Sequence, residues 1–275
     1  MRALRCPLRP GFLIAIGLGM AATQAQAQQT GAPLPSDPAA LALRAKMVQT
    51  YRSLRSIRET VVQRQWAATP DKASTIKIEL RFRRPNRVYL YVDYLPAGRQ
   101  MGRWQLVFAC DGRSLIFYNS AKNEFQRFKA PATLENLVLP ASLREPEIPI
   151  LLKNSDPFAE LEKTALVRYT SSFVNSSDGK QGPSAFDVLL LDVRQGGADR
   201  QLRYSLAASD HLLYRWSLAI RPDSGPVSPF QEAETASSVT AEYTQVEANP
   251  RLTDADFTFT PPPVAKEISS PRHKR

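Results

Sequence analysis

The chain has 275 residues, a formal net charge of +10, 43% hydrophobic residues and two cysteines. Because Cys6 lies in the first ten residues, a disulfide-stapled scaffold is excluded and stability must come from core burial. Beyond residue 27 no segment approaches the roughly 18 consecutive apolar residues of a membrane-spanning helix.

Residues 1–27 read as a secretory signal: Arg2, Arg5 and Arg9 form the basic region, Phe12 to Ala22 the apolar region, and Ala25-Gln26-Ala27 the cleavage site. Cleavage leaves a soluble periplasmic chain starting at Gln28, and Cys6 is misplaced for a lipid anchor. The net charge stays at about +7, which suits anionic headgroups or an acidic envelope partner, or simply a solvated surface; nucleic acid is not an expected partner in that compartment.

Residues 28–36 are a flexible leader. A helix follows, with Asp37 as cap, Pro38 in the first turn, and Leu43, Met47, Tyr51 and Leu54 on one stripe. Strands are expected at 57–66, 74–83, 87–95, 103–110, 113–119 and 124–129, with tight turns at Arg84-Pro85-Asn86 and Asp111-Gly112. Their alternation is strict: Ile76, Ile78, Leu80 and Phe82 share one face, Lys77, Glu79 and Arg81 the other. The same phase recurs in Val88, Leu90 and Val92, in Trp104, Leu106 and Phe108, in Leu202, Tyr204 and Leu206, and from Leu212 to Ile220.

Between Pro131 and Glu162 five prolines break up apolar groups, which predicts loops and short lid helices, one of them starting at Asp156-Pro157. Strands resume at 164–174, 185–194, 200–208, 211–221, 233–247 and 256–260, with turns at Gly196-Gly197 and Ser209-Asp210 and a loop at 222–232. The main domain spans 37–263, and residues 264–275 read as a loose basic tail. The fold class is mainly β (α+β): an incomplete, strongly curved antiparallel half-barrel with an N-terminal amphipathic helix and short lid helices.

Several segments together resemble an uncharacterised bacterial periplasmic family related to lipoprotein carriers. They are Tyr51 to Ser56, the Arg83-Arg84-Pro85-Asn86-Arg87 corner, the hairpin Cys110 to Tyr118 with Asn123-Glu124-Phe125, Ala130 to Leu134, and the closing Phe257 to Pro263. The resemblance implies the LolA/LppX-like superfamily, a curved sheet with short helices closing its mouth over an apolar cavity. Val264 stands where the family pattern has glycine, which puts the terminal turn in question.

No catalytic or metal constellation is legible, and no cofactor is implied. His211 reads as a surface turn residue, His273 as part of the tail, and Asp254 and Asp256 as turn caps. By parity Cys110 faces inward as a small hydrophobe, while Tyr89 and Tyr91 face outward, either beneath the first helix or as a partner surface. The expected ligand wall comprises Ile78, Leu80, Phe82, Leu90, Val92, Leu106 and Phe108, with Leu134, Leu137 and Val138 facing it from the lid. Such a face either fills its own interior or shelters an apolar ligand. The expected function is a non-enzymatic periplasmic protein holding a lipid or acyl chain; the alternative is an envelope protein-interaction or sensor module with a filled cavity.

Overall fold

The computed structural model describes residues 35–66, 73–96, 102–133, 156–175, 183–195, 198–221 and 238–268. The elements in chain order are α1 (Pro38–Ser53), β1 (Ser56–Trp66), β2 (Ala73–Arg83), β3 (Arg87–Leu95), β4 (Trp104–Cys110), β5 (Ser114–Asn119), β6 (Glu124–Lys129), α2 (Pro157–Glu162), β7 (Leu166–Asn175), β8 (Ala185–Gln195), β9 (Ala198–Ala207), β10 (Leu213–Arg221), β11 (Ser238–Ala248), a 3₁₀ turn (Asp254–Phe257) and β12 (Lys266–Glu267). All twelve strands form one open, strongly curved sheet in the order β12-β6-β5-β4-β3-β2-β1-β11-β10-β9-β8-β7. Two antiparallel meanders, β1 to β6 and β7 to β11, are joined where β1 pairs with β11. Among the described residues, no helix is long and apolar enough to cross a membrane.

Helix α1 starts where the sequence places it, because the Asp37 carboxylate accepts from the Ala39 N–H at 2.9 Å and Pro38 occupies the first turn. Its buried face is Ala40, Leu43, Met47, Val48 and Tyr51, laid on the inner face of β7 and β8. Each long apolar side chain buried there contributes about 1.5–3 kcal/mol. Arg44 leaves the stripe and ties three elements together. Its guanidinium lies over the rings of Phe158 and Tyr169 and pairs with Glu162 at 2.6 Å and Asp156 at 3.1 Å. The Tyr169 hydroxyl donates to the same Glu162 at 2.8 Å.

The β1–β11 seam is closed at one end by Asn249, whose positive φ of 54° lets its side chain turn back on β1. Its Oδ1 accepts from the Arg55 N–H at 2.8 Å, and its own N–H donates to the Ser56 carbonyl at 2.9 Å. The β4–β5 hairpin forms as expected, but over three residues instead of two. Asp111 Oδ1 accepts from the backbone of both Arg113 and Ser114 at 2.7 Å, which draws Arg113 into the turn. Gly112 has φ +91°, a conformation that favours glycine, and a Cβ there would press on Asn86 Oδ1 at 3.1 Å.

The C-terminus departs most from expectation. Residues 256–260 are not a strand: Thr253 donates to Asp256 Oδ2 from both its N–H (2.7 Å) and its hydroxyl (2.8 Å), which closes a 3₁₀ turn. Three consecutive prolines then deny the chain the donors a ladder needs. The segment instead crosses the outer face as a strap. Phe257 is fully buried, the Phe259 ring packs on Tyr118 at 5.5 Å between centroids, and Asp254 pairs with both Arg83 and Arg87. Residues 264–268 return to the sheet, where β12 adds to β6 in parallel, so the sheet is mixed rather than purely antiparallel. The terminal turn forms with Val264 in place, closed by an Ala265 N–H to Pro262 carbonyl bond of 2.9 Å.

Truncating Phe257 to alanine removes the strap's one fully buried ring and is expected to lower the unfolding free energy by about 3–5 kcal/mol in urea titrations. A loss under 1 kcal/mol would show that the strap is not part of the cooperative unit.

Candidate ligand-binding site

The inner face is built row by row from the strand register. Ile57, Phe82, Val88, Cys110 and Leu115 lie opposite one another in one row across β1 to β5. Glu59, Leu80, Leu90 and Phe108 form the next, and Val61, Ile78, Val92 and Leu106 the third. The seven described wall residues read from the sequence therefore come together on one continuous surface, each 1–7% exposed. Leu134, Leu137 and Val138, with most of the expected lid, lie outside the described residues.

The wall belongs to one core cluster with the inward residues of α1 and of β8 to β11, among them Tyr204, Leu206, Trp216 and Tyr243. The described end of the 131–162 segment, α2, sends Phe158 into that cluster, edge-on to Tyr204 at 5.7 Å. Cys110 faces inward as its parity requires. It is fully buried, its thiol donates to the Asn86 carbonyl at 3.0 Å, and burial raises its pKa, so it stays a thiol at neutral pH.

The feature that the sequence reading passed over is Glu59. It projects inward between Ile57 and Val61, is 1% exposed, and its Oε1 has no hydrogen-bond partner among the described residues. Burial raises its pKa from the ordinary 4.5 to about 8, against the opposing hydrogen bond from Tyr51. Tyr51, on α1, is itself fully buried and accepts from the Leu213 N–H at 3.1 Å. A relay therefore runs from the β10 backbone through the Tyr51 hydroxyl to the Glu59 carboxyl. The signal was present: Glu59 shares the period-two phase of Ile57 and Val61, so any strand that buries those two buries the acid as well.

The remaining candidates have structural roles. Asp254 and Asp256 hold the strap to Arg83, Arg87 and the 3₁₀ turn. His211 adopts φ +57° in the β9–β10 turn, half-buried with Nδ1 3.6 Å from Asp187. Tyr89 and Tyr91 do not lie beneath α1. They face outward with Val107, Ala109 and Tyr118 and are covered by Phe259 and Ala265 of the strap, because α1 occupies the opposite face. A recess of about 220 Å³ lined by Ala109, Arg127 and Phe257 to Thr260 also opens on that outer side, with the sheet between it and the wall.

No protein-family model and no curated protein sequence matches this chain. Solved structures similar to it include MucB, at 14% identity and TM-score 0.44 over 82% of this chain and 65% of MucB. LprF from Mycobacterium bovis is similar at 12% identity and TM-score 0.42, over 81% of this chain and 97% of LprF. The lipoprotein LppX from Mycobacterium tuberculosis is similar at 12% identity and TM-score 0.39, over 79% of this chain and 99% of LppX. This chain thus spans just under two thirds of MucB. A LolA superfamily protein from Nitrosomonas europaea is similar at 12% identity and TM-score 0.30, over 80% of this chain and 97% of that protein.

The buried acid sets a pH dependence. An unfolded chain releases the Glu59 proton above about pH 4.5, whereas the folded chain keeps it until about pH 8, so stability falls as the pH rises through that window and is regained below it. The loss is on the order of 5 kcal/mol over the whole window. Urea unfolding at pH 5 and pH 8.5 should show it in the native chain and not in Glu59→Gln; parallel curves for the two would refute the assignment.

Proposed function

We propose that this chain is an exported, periplasmic, non-catalytic binding protein that shelters the acyl chain of a lipid against the inner face of β2 to β4. The observation that carries the reading is the wall itself: three adjacent rows of apolar side chains on a sheet that curves without closing. Such a surface is favourable to methylenes, each worth about 0.8 kcal/mol when removed from water, and an open sheet can admit a chain without breaking backbone hydrogen bonds. The signal features at Arg2 to Ala27 and the basic excess suit delivery to a compartment bounded by anionic lipid surfaces.

A second reading is favoured by a different observation. The wall residues are all buried in one core cluster with α1, which is what a filled interior looks like, and a filled interior suits an envelope interaction or sensor module. The two readings separate on one measurement. Protein purified gently from its own periplasm and analysed by native mass spectrometry should carry lipid at close to one molecule per chain. Repeated recovery of the bare chain would favour the filled module.

Within the lipid reading, Leu90→Ala opens space at the centre of the wall. It is expected to cost about 2–5 kcal/mol of stability and to change the chain-length distribution of the bound lipid. An unaltered distribution in a folded Leu90→Ala protein, checked by circular dichroism, would move the ligand away from β3.

A further inference from the structure

Glu59 is costly where it stands, and nothing among the described residues uses its Oε1. It is 1% exposed, its Oε1 lacks a partner among the described residues, and replacing a buried acid by a hydrocarbon of similar shape is commonly neutral or stabilising. Its position is specific. Glu59 lies directly opposite Leu80, which lies opposite Leu90, which lies opposite Phe108, so the acid terminates the central row of the apolar wall. Neighbouring strands are about 4.8 Å apart, which makes that row about 14 Å long from Glu59 to Phe108. A second orphan is on the same inner face: Trp216 Nε1, on β10, is buried without a partner among the described residues.

We infer that Glu59 is a head-group ligand: a carboxylic acid that donates a hydrogen bond from its free oxygen to the carbonyl oxygen of an ester-linked acyl chain lying along Leu80, Leu90 and Phe108. The inference rests on the proposed lipid-binding function and names the part of the lipid that the site would recognise. The Tyr51 hydroxyl, which accepts from the Leu213 N–H, hydrogen-bonds the Glu59 carboxyl, while Oε1 is without a partner among the described residues and is the oxygen open to a ligand. A neutral acid in an apolar site can donate to a carbonyl as a carboxylate cannot. An ester also suits such a site better than a free fatty acid, because a ligand carboxylate would bring an uncompensated charge into it.

The test compares methyl palmitate with hexadecane, two probes of similar apolar length that differ in the carbonyl group, binding to the purified chain and to its Glu59→Leu and Glu59→Gln variants. The native chain should bind the ester about tenfold more tightly than the alkane, the discrimination expected of one buried hydrogen bond. Glu59→Leu should bind both probes alike, while Glu59→Gln, which keeps a donor, should retain the preference. With a ¹³C-labelled ester carbonyl, the infrared stretch should move to lower frequency in the native chain and not in Glu59→Leu. Equal binding of both probes by the native chain, or a preference that survives in Glu59→Leu, would overturn the head-group role while leaving the lipid reading intact. Binding of neither probe by any of the three proteins would overturn both.

Discussion

The pairing of β1 with β11 is the constraint on which the rest of the structure depends. Every other antiparallel contact in the sheet joins strands that follow one another in the chain, so each meander can assemble from hairpins. The seam joins residues about 170 to 190 positions apart, with Arg58 beside Glu247 and Val62 beside Glu242. Closing so long a loop is entropically unfavourable, and the register shift between Thr60 and Val61 adds a local irregularity. What offsets it is concentrated at the seam: the Asn249 lock at one end, the inward core of Ile57 and Val61, and the Arg58 pairs with Glu247 and Asp256 outside. The two halves share one interior only because this junction holds.

That junction also explains why a buried acid is informative here. A carboxyl placed near a sheet edge would reach water by a change of rotamer. On β1, at the middle of twelve strands and beneath α1, Glu59 has no such exit and is kept neutral instead. Tyr51 makes α1 part of the same arrangement, since one hydroxyl links the helix to the β10 backbone and to the acid on β1. Movement of the helix would therefore change the surroundings of the carboxyl as well as uncover the wall.

How much of this was legible in the sequence follows from the range of the interactions. Period-two alternation located β2, β3 and β4 to within a residue and put Ile78, Leu90 and Phe108 on the buried side, because parity is a local property. The Asp37 cap and the Leu43, Met47, Tyr51 stripe were legible for the same reason. The strap was not. Phe257 and Phe259 alternate with threonines as a strand would, and the contact of Thr253 with Asp256 and the outward-facing aromatic surface of Tyr89, Tyr91 and Tyr118 determine that the segment packs flat instead. Glu59 lay in a correctly expected strand, but its importance depends on β11, distant in sequence, closing the sheet beside it and on the Tyr51 hydroxyl of α1 reaching it, and neither follows from local parity.

The strap and the leader have a consequence for solubility. An open sheet has two edges, each a row of unsatisfied backbone groups on which another chain can pair. Here segments of the same chain cover part of each: β12 lies along β6 at Glu124 and Phe125, and Ser36 and Asp37 bond the backbone of β7 at Tyr169. Next to that second cover, Phe173 and Val174 stand exposed on β7, the kind of surface that recruits copies of itself once the edge is bare. Removing either cover would thus bare backbone groups at a sheet margin for pairing with another chain.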